Sequence, residues 1–402
     1  MPLNTEINFQ QIIGKPVPMA YGECSIDPFK QLHISMNSDG TITRLMKLPT
    51  VPAIGEDNGD LGQSYVSKDM TLNQENGTWF RIYRPTEISS NDKNVVKIPV
   101  ILYFHMGGFF NSHADSMLNN EPCGRFASET PCIVLSLDFR LAPEHRLPAA
   151  YNDAVELLYW LKQQTIDPNG ESWLRGYADF SRCYLMGCST GGNIAYRIAL
   201  CLPDLDLDPV KIAGIILNQP AFAGEMRTNS ELRCADDVWM SLSATDLVWN
   251  LALPVGANRD HEYANPMVQG AYTNNIGKLP KILIRVFEGD FLLDRQMELM
   301  FAKLKIVKFP PLLLTGANYL TWDEDMEGAG EDTRDTGWAG TRNSLALGED
   351  TEHGNAMHHA WVATDNKVQA HHIVIDNNSA PVKFAASDFF DDTDVALDQH
   401  TE

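Results

Sequence analysis

The sequence lacks any apolar run close to the roughly 18 residues that a membrane-spanning helix requires. Its first residues, MPLNTEINFQQ, show neither the basic start nor the apolar stretch of a signal peptide. Basic residues are also scarce, since 31 Lys and Arg stand against 53 Asp and Glu, a formal net charge of −22. Nucleic acids and anionic membranes attract clustered basic residues, so this composition argues against both as partners. We therefore expect a soluble, cytoplasmic protein.

Cysteine is sparse and follows no pairing pattern. The seven cysteines are odd in number and scattered, and several lie in apolar stretches, where a thiol behaves as a small hydrophobic group. Reduced thiols fit this arrangement better than disulfides. Neither a metal-ligand spacing nor a cofactor-binding motif is evident, so we expect no metal and no cofactor.

Short β-rich runs alternate with longer helical ones between about residues 80 and 300. The predicted strands are WFRIYR, IPVILYFH, CIVLSLDF, RCYLMG, IAGIILNQP and KILIRVFEG. The predicted helices span residues 148–164, 190–202 and 290–304. Near-continuous apolar strands separated by helices indicate a mostly parallel sheet with helices on both faces. The predicted fold class is α/β, and such sheets bind ligands at the carboxyl ends of their strands.

Two less regular stretches precede and interrupt this pattern. Residues 1–75 have weak periodicity, and residues 224–262 are rich in Trp, Met and acidic side chains. We predict that both stretches form cap segments over the strand ends.

The alternation of strands and helices stops after about residue 305. Residues 321–402 carry 18 acidic against 4 basic residues, a net of −14. We therefore predict a domain over residues 1–305 and an acidic, largely disordered tail over residues 306–402. Within that tail, the Gly-containing and acid-rich residues 323–355 are expected to be disordered.

The stretch GCSTGGN at residues 187–193 follows an apolar run and precedes a helical one. A serine with glycines two residues to either side, between a strand and a helix, is the pattern of a nucleophile elbow. Ser189 is therefore a candidate nucleophile, which a histidine base, a carboxylate and an oxyanion site would have to activate. The alternative interpretation is a Gly-rich turn in which Ser189 only caps the following helix.

The stretch HMGGF at residues 105–109 also follows a predicted strand. When a nucleophile attacks an ester, the carbonyl oxygen becomes negatively charged, and fixed backbone N–H groups stabilise that charge. Gly107 and Gly108 can offer such groups because no side chain blocks approach, and the Thr190 amide would be a third donor at a helix N-terminus. We interpret His105 as a structural side chain. An ordinary turn is the alternative for this loop.

Together with DFRLAPEHRLPAAYND at residues 138–153, these motifs resemble the hormone-sensitive-lipase-like α/β-hydrolases, and more narrowly the plant carboxylesterases. PFKQLHISMNSDGTITRL and VWNLALPVGANRDHEYANP are also similar to that plant group. The resemblance covers roughly residues 25–300. It implies a serine esterase with a cap built partly from the N-terminal segment, acting on small-molecule esters without a cofactor.

The resemblance also implies roles for particular residues. In RVFEGDFLLDRQ it makes Asp290 the acid that orients the histidine, while Asp294 is expected to cap or pair locally. A helix N-cap is the other interpretation of Asp290. Residues 143–145 are implied to be scaffold rather than catalytic. Two positions depart from the family: Met106 stands where a glycine is usual, and Cys188 where an aspartate is usual.

The catalytic histidine of the family is not identifiable in this chain. The resemblance implies a last strand, a Gly-aromatic-His loop and a final helix after the acid, but the family pattern stops near Lys305. KFPPLLLTGANYLTWDEDME instead resembles the start of a retrotransposon-encoded capsid polyprotein. We therefore predict that an unrelated segment replaces those three features. The later histidines, none in the expected setting, are His353, His358, His359, His371, His372 and His400.

Without a general base a serine keeps its proton at neutral pH, so hydrolysis by this chain is expected to be impaired. Two alternatives to an esterase stay open. Plant gibberellin receptors resemble this family and keep the serine without a working histidine, which suggests small-molecule binding without turnover. A lyase or cyclase of plant specialised metabolism on the same scaffold is the other alternative.

Overall fold

The computed structural model of the chain describes residues 26–55, 62–88, 90–91, 94–270, 272–287 and 289–307, with the short segments 314–315, 319–320 and 370–375 beyond them. By its contacts the chain divides into two units, residues 1–307 with 369–402, and residues 308–368. In the second unit the structure describes a hairpin of β12 (Leu314–Thr315) and β13 (Tyr319–Leu320). The predicted disorder within 323–355 lies outside the described residues.

An eight-stranded sheet forms the centre of the first unit. Its strands in chain order are β3 (Tyr65–Asn73), β4 (Thr78–Pro85), β7 (Ile98–Phe104), β8 (Ile133–Asp138), β9 (Ala178–Cys188), β10 (Ile212–Asn218), β11 (Lys281–Phe287) and β14 (Ala370–Ile375). Across the sheet the order is β14-β11-β10-β9-β7-β8-β4-β3. Five adjacent strands pair in parallel: β11, β10, β9, β7 and β8. The remaining strands, β3, β4 and β14, pair antiparallel with their neighbours. The α/β class with a mostly parallel sheet is confirmed.

The central strands are buried because their sequences are apolar on both faces. All residues of β7 except Pro99 are buried, and so are the first five of β8. Such strands can exist only beneath covering layers on both sides. The helices between β7 and β10, and the one after β11, are α2 (Met117–Glu129), α3 (Ala149–Ile166), α4 (Ser172–Tyr177), α5 (Thr190–Cys201) and α8 (Leu293–Val307). Helix α5 packs on β9 and β10, while α2 packs on β3, β4 and β8.

Two segments distant in sequence join in one apolar cluster. The first contains α1 (Pro28–Gln31), β1 (Ile34–Met36) and β2 (Ile42–Arg44), and the second contains α6 (Asn229–Arg233) and α7 (Leu242–Ala252). Buried side chains of β1, β2 and α7 pack together with Phe110, which lies in the loop after β7. The two stretches predicted as cap segments therefore meet beside that loop.

The predicted boundary of the first cap segment needs a correction. Strand β3 lies within residues 1–75 but pairs with β4 in the main sheet, so the cap portion ends before it. Strand β3 lies at the edge of the sheet, so buried and exposed residues alternate irregularly along it. This irregularity weakens the hydrophobic periodicity of its sequence. The remaining small elements are β5 (Ser90–Asn91), β6 (Asn94–Val95) and the 3-10 turns Leu202–Asp204 and Thr273–Lys278.

Strand β14 flanks β11 at one edge of the sheet, with Ala370 opposite Phe287 and Ile375 opposite Ile282. It comes from the range for which the sequence predicts an acidic tail, so this short part of the tail belongs to the main sheet. An edge strand is thus present next to β11. Its antiparallel direction differs from that of the parallel strands beside it.

Candidate active site

Ser189 occupies a strained turn between β9 and α5. Its backbone angles are φ 52° and ψ −119°, a region that non-glycine residues rarely adopt. The Ser189 amide donates to the Asn218 carbonyl at 2.9 Å, and the Ser189 carbonyl accepts from the Ala221 amide at 2.9 Å. A strained conformation persists only where its surroundings hold it in place, as these bonds to the loop after β10 do.

The two glycines of the elbow leave no space for a side chain. A Cβ atom at Gly187 would lie 2.1 Å from the Gly191 carbonyl oxygen. A Cβ atom at Gly191 would lie 1.9 Å from the Phe104 carbonyl oxygen, at the end of β7. Only glycine therefore allows the start of α5 to approach the end of β7 this closely. The turn that presents Ser189 and the loop that follows β7 are consequently neighbours.

The loop after β7 has an unusual backbone. Gly107 and Gly108 have φ angles of 130° and 66°, and Phe109 has a φ of 64°. A Cβ atom at Gly107 would lie 2.0 Å from the Asn111 carbonyl oxygen, so glycine is required there as well. The loop closes on itself through a 2.9 Å bond from the Asn111 amide to the Gly107 carbonyl. This backbone carries the amides that the sequence analysis assigned to an oxyanion site.

Thr190 is the first residue of α5 and is buried. The partial positive charge at the N-terminus of this 12-residue helix favours an anion beside it. The role of the Thr190 amide as a third oxyanion donor stays a prediction.

Asp290 follows β11 and is tied to the end of β10. One carboxylate oxygen accepts from the Gln219 side-chain amide at 2.9 Å, and the other accepts from the Leu292 amide at 3.0 Å. Gln219 directly follows Asn218, the residue that holds the Ser189 amide. The end of β10 thus connects the carboxylate to the serine. Burial raises the pKa of Asp290, and the bonds from Leu292 and Gln219 oppose that shift without cancelling it.

This raised pKa predicts a stability change on replacing Asp290 by asparagine. The folded chain binds the Asp290 proton more tightly than the unfolded chain does, so Asp290 lowers the free energy of unfolding as pH rises above its ordinary pKa of 3.8. We expect Asp290→Asn to raise the melting temperature at pH 7, with the gain disappearing in acid below the ordinary pKa. Thermal unfolding followed at several pH values measures this.

Asp179→Asn is the matched control for that measurement. Burial would raise the pKa of Asp179, but the bonds from Ser181 and Arg182 outweigh it and lower the pKa. Asp179 therefore stabilises the chain above its ordinary pKa, and its asparagine variant should lose stability at pH 7. If both variants change the melting temperature in the same direction, the inferred environment of Asp290 is wrong.

Cys188, which departs from the family, lies beside the candidate nucleophile. Burial raises the pKa of its thiol to about 12. Its sulfur accepts a hydrogen bond from the Asn218 side-chain amide at 3.4 Å. A thiol that stays protonated is a weak nucleophile, so Cys188 is a poor alternative to Ser189 as the candidate nucleophile.

Within the described residues up to 307, no histidine forms a hydrogen bond with Ser189 or Asp290. His105 is fully buried, stacks on Phe139 with ring centres 4.1 Å apart, and places Nδ1 2.7 Å from the Met106 carbonyl oxygen. Burial lowers the pKa of His105. Nε2 of His105 lies 4.0 Å from an Asp138 carboxylate oxygen, and Nδ1 of His113 lies 3.1 Å from the same oxygen.

Two histidines of the tail lie in β14. His371 is opposite Val286 and His372 is opposite Arg285, near the end of β11 that leads to Asp290. The other tail histidines named from the sequence lie outside the described residues.

Asp294 has a partner that the sequence analysis did not anticipate. It was expected to cap or pair locally, but its carboxylate accepts from the Ser230 amide at 2.7 Å, at the start of α6. Gln219 was also missed as a site residue. Its place directly after a strand end, in IAGIILNQP, is the one sequence signal that could have suggested it.

A strained serine between a parallel strand and a helix, with a carboxylate after the next strand but one in the sheet, is typical of the class of serine hydrolases. The alpha/beta hydrolase fold family matches residues 101–308. The chain is 44% identical over 275 residues to probable carboxylesterase 9 of Arabidopsis thaliana, covering 68% of this chain and 84% of that relative. It is 43% identical over 281 residues to 3-O-acetylpapaveroxine carboxylesterase CXE2 of Papaver somniferum, covering 68% and 86%.

The chain belongs to the alpha/beta hydrolase fold family and is a carboxylesterase-type hydrolase similar to those of plants. A bacterial heroin esterase shares the fold, with a TM-score of 0.50 and 21% identity over 64% of this chain and 82% of that structure. The family match ends close to Lys305, where the sequence departs from the family pattern. Across the described residues, no helix combines the length and hydrophobicity needed to cross a membrane.

Proposed function

We propose that Ser189 is the nucleophile that attacks small-molecule esters. Its Oγ would form a bond to the carbonyl carbon, and the Gly107, Gly108 and Thr190 amides would stabilise the oxyanion. Collapse of this intermediate would break the ester C–O bond, release the alcohol and leave an acyl group on Ser189, which water then removes. The observation that supports this most strongly is the strained Ser189 backbone, held by the loop after β10.

Asp290 is the acid partner in this proposal. A carboxylate that orients a histidine must be fixed in position, and the bonds from Gln219 and Leu292 fix Asp290 beside the serine turn. The proposed substrates are acetyl esters of small molecules, since one relative is named for an acetylated compound. A cytoplasmic location is supported by the described cysteines, all six of which are free.

The base is the limiting group. No histidine within the described residues up to 307 is hydrogen-bonded to Ser189 or to Asp290, so we assign no base among them. We propose that the nucleophile, the oxyanion donors and the acid are assembled, and that proton transfer from Ser189 limits turnover.

Chemical rescue tests this function on the chain as it exists. Free imidazole can act as a general base, a role that contributes about a hundredfold or more in enzymes that hold the base in place. Imidazole alone also hydrolyses naphthyl acetate, so the rate in protein-free solution with the same imidazole is subtracted. We expect imidazole to raise the remaining, protein-dependent rate about tenfold or more. Ser189→Ala should abolish that increment, and Ser172→Ala, which changes an exposed serine, should keep it.

Two other outcomes of the rescue experiment would contradict the proposal. If turnover is fast without imidazole and falls when His358 or His359 is replaced by alanine, the tail supplies the base. If no Ser189-dependent hydrolysis occurs with or without imidazole, ligand binding without turnover, as in a receptor, becomes the better interpretation.

A further inference from the structure

Arg44 links the cap to the loop that carries the proposed oxyanion donors. It is the last residue of β2, in the cap hairpin. Its Nε donates to the Phe110 carbonyl at 2.5 Å, and its Nη2 donates to the Ala142 carbonyl at 2.9 Å. One guanidinium therefore joins two loops, one after β7 and one after β8.

Glu144 holds this guanidinium in place. Arg44 Nη1 and Nη2 donate to the two carboxylate oxygens of Glu144 at 3.1 and 2.8 Å. Burial alone would raise the pKa of Glu144, but the bonds from Arg44 outweigh it, and the pKa is lowered. A planar guanidinium can satisfy a carboxylate and two carbonyls together, whereas a lysine ammonium lacks that fixed fork of donors. Arginine is therefore specifically required at this position.

The loop after β7 needs such support because its backbone is unfavourable. Gly107, Gly108 and Phe109 all have positive φ angles, and Phe109 is not a glycine. Sparsely populated conformations persist only when neighbouring contacts determine them. Beyond its internal turn, the loop is held by a 2.9 Å bond from the Ala142 amide to the Phe109 carbonyl and by the Arg44 bond to the next carbonyl. These two bonds bring the loop and the segment 139–148 together.

We propose that Arg44 is a positioning residue that keeps the Gly107 and Gly108 amides in place to stabilise an oxyanion. The proposal rests on the proposed assignment of these amides. In this role Arg44 acts through the Phe110 carbonyl and through the segment that binds Phe109. Folding of the cap hairpin is thereby coupled to the geometry of the catalytic loop.

Hydrogen exchange tests the positioning without relying on catalysis. In Arg44→Met and Arg44→Lys, we expect the Phe110, Asn111 and Ala142 amides to exchange at least about tenfold faster than in the unaltered chain. The amides of β7 should stay protected. Arg125→Met is the matched control, because Arg125 pairs with Glu129 on the exposed face of α2, and it should leave the loop unchanged.

The exchange pattern separates local positioning from a general loss of stability. Unchanged exchange at Phe110 and Asn111 in Arg44→Met would overturn the proposal. Equally faster exchange in the loop and in β7 would overturn it too, since Arg44 would then stabilise the whole domain rather than the loop.

A kinetic measurement tests the link to the oxyanion. In the presence of imidazole, Arg44→Met should lower kcat for naphthyl acetate about tenfold to a hundredfold, with KM within about twofold, because oxyanion donors act in the transition state. A rise in KM at constant kcat would contradict this role. If the unaltered chain shows no Ser189-dependent turnover, the proposed function fails, while the exchange experiment still decides whether Arg44 positions the loop.

Discussion

Replacing Gly191 by alanine is expected to lower the free energy of unfolding by about 3 kcal/mol or more. The new Cβ atom would lie 1.9 Å from the Phe104 carbonyl oxygen and 2.6 Å from the His105 carbonyl oxygen. Both contacts are with backbone, so no side-chain rotation can relieve them. Helix α5 would have to move away from β7, and the nucleophile turn would open. Urea unfolding followed by circular dichroism measures the loss.

Gly176→Ala is the control for this prediction. Gly176 lies in α4, and a Cβ atom there meets nothing within 4 Å. Alanine in a helix is favoured over glycine by about 1 kcal/mol, so this variant should be as stable as the unaltered chain or slightly more stable. If Gly191→Ala and Gly176→Ala unfold at similar urea concentrations, α5 does not approach β7 as closely as described.

The second large effect is expected from restoring the histidine. We expect replacement of residues 308–402 by the corresponding C-terminal segment of a plant carboxylesterase to raise the hydrolysis rate about a thousandfold or more. The reason rests on the proposed assignment of the nucleophile, the oxyanion donors and the acid: one added group would then complete a unit whose members act together. The rate of naphthyl acetate hydrolysis without imidazole measures the gain.

The grafted chain has its own control. A graft in which the incoming histidine is alanine should fold equally well and remain slow. If this variant is as fast as the complete graft, the gain comes from a better-formed sheet edge rather than from a base, and the absence of a base is not what limits the present chain.

The strands around the site could be predicted because their signals are local. The sequence predicted β7, β8, β10 and β11 within two residues of their observed bounds, since each is an apolar run between turn residues, whereas β9 begins four residues before the predicted run RCYLMG. Helix α2 was missed because its buried face includes Asn119 and Asn120 and its interior contains Pro122, so no apolar stripe marks it. Strand β3 was missed for the related reason that an edge strand is only partly buried.

The long-range contacts of the site could not be predicted from the sequence. Ser189 and its glycines form a local pattern, but Gln219 reaches Asp290 across 71 residues and Arg44 reaches Phe110 across 66. Such pairs depend on strand order, which puts β10 between β9 and β11. Position along the chain indicates only that each residue lies near a strand end. The partner appears once the sheet is assembled.

The claim that Ser189 is the nucleophile and lacks only its base is tested most directly by replacing Ser189 with alanine in two chains. These are the present chain without imidazole and the chain with the grafted histidine, and the rate of naphthyl acetate hydrolysis is measured in both. Because triad members act as a unit, alanine should change the rate of the present chain less than about threefold, yet lower that of the grafted chain about a thousandfold or more. If the grafted chain keeps its turnover when Ser189 is replaced by alanine, the claim that Ser189 is the nucleophile and lacks only its base is contradicted.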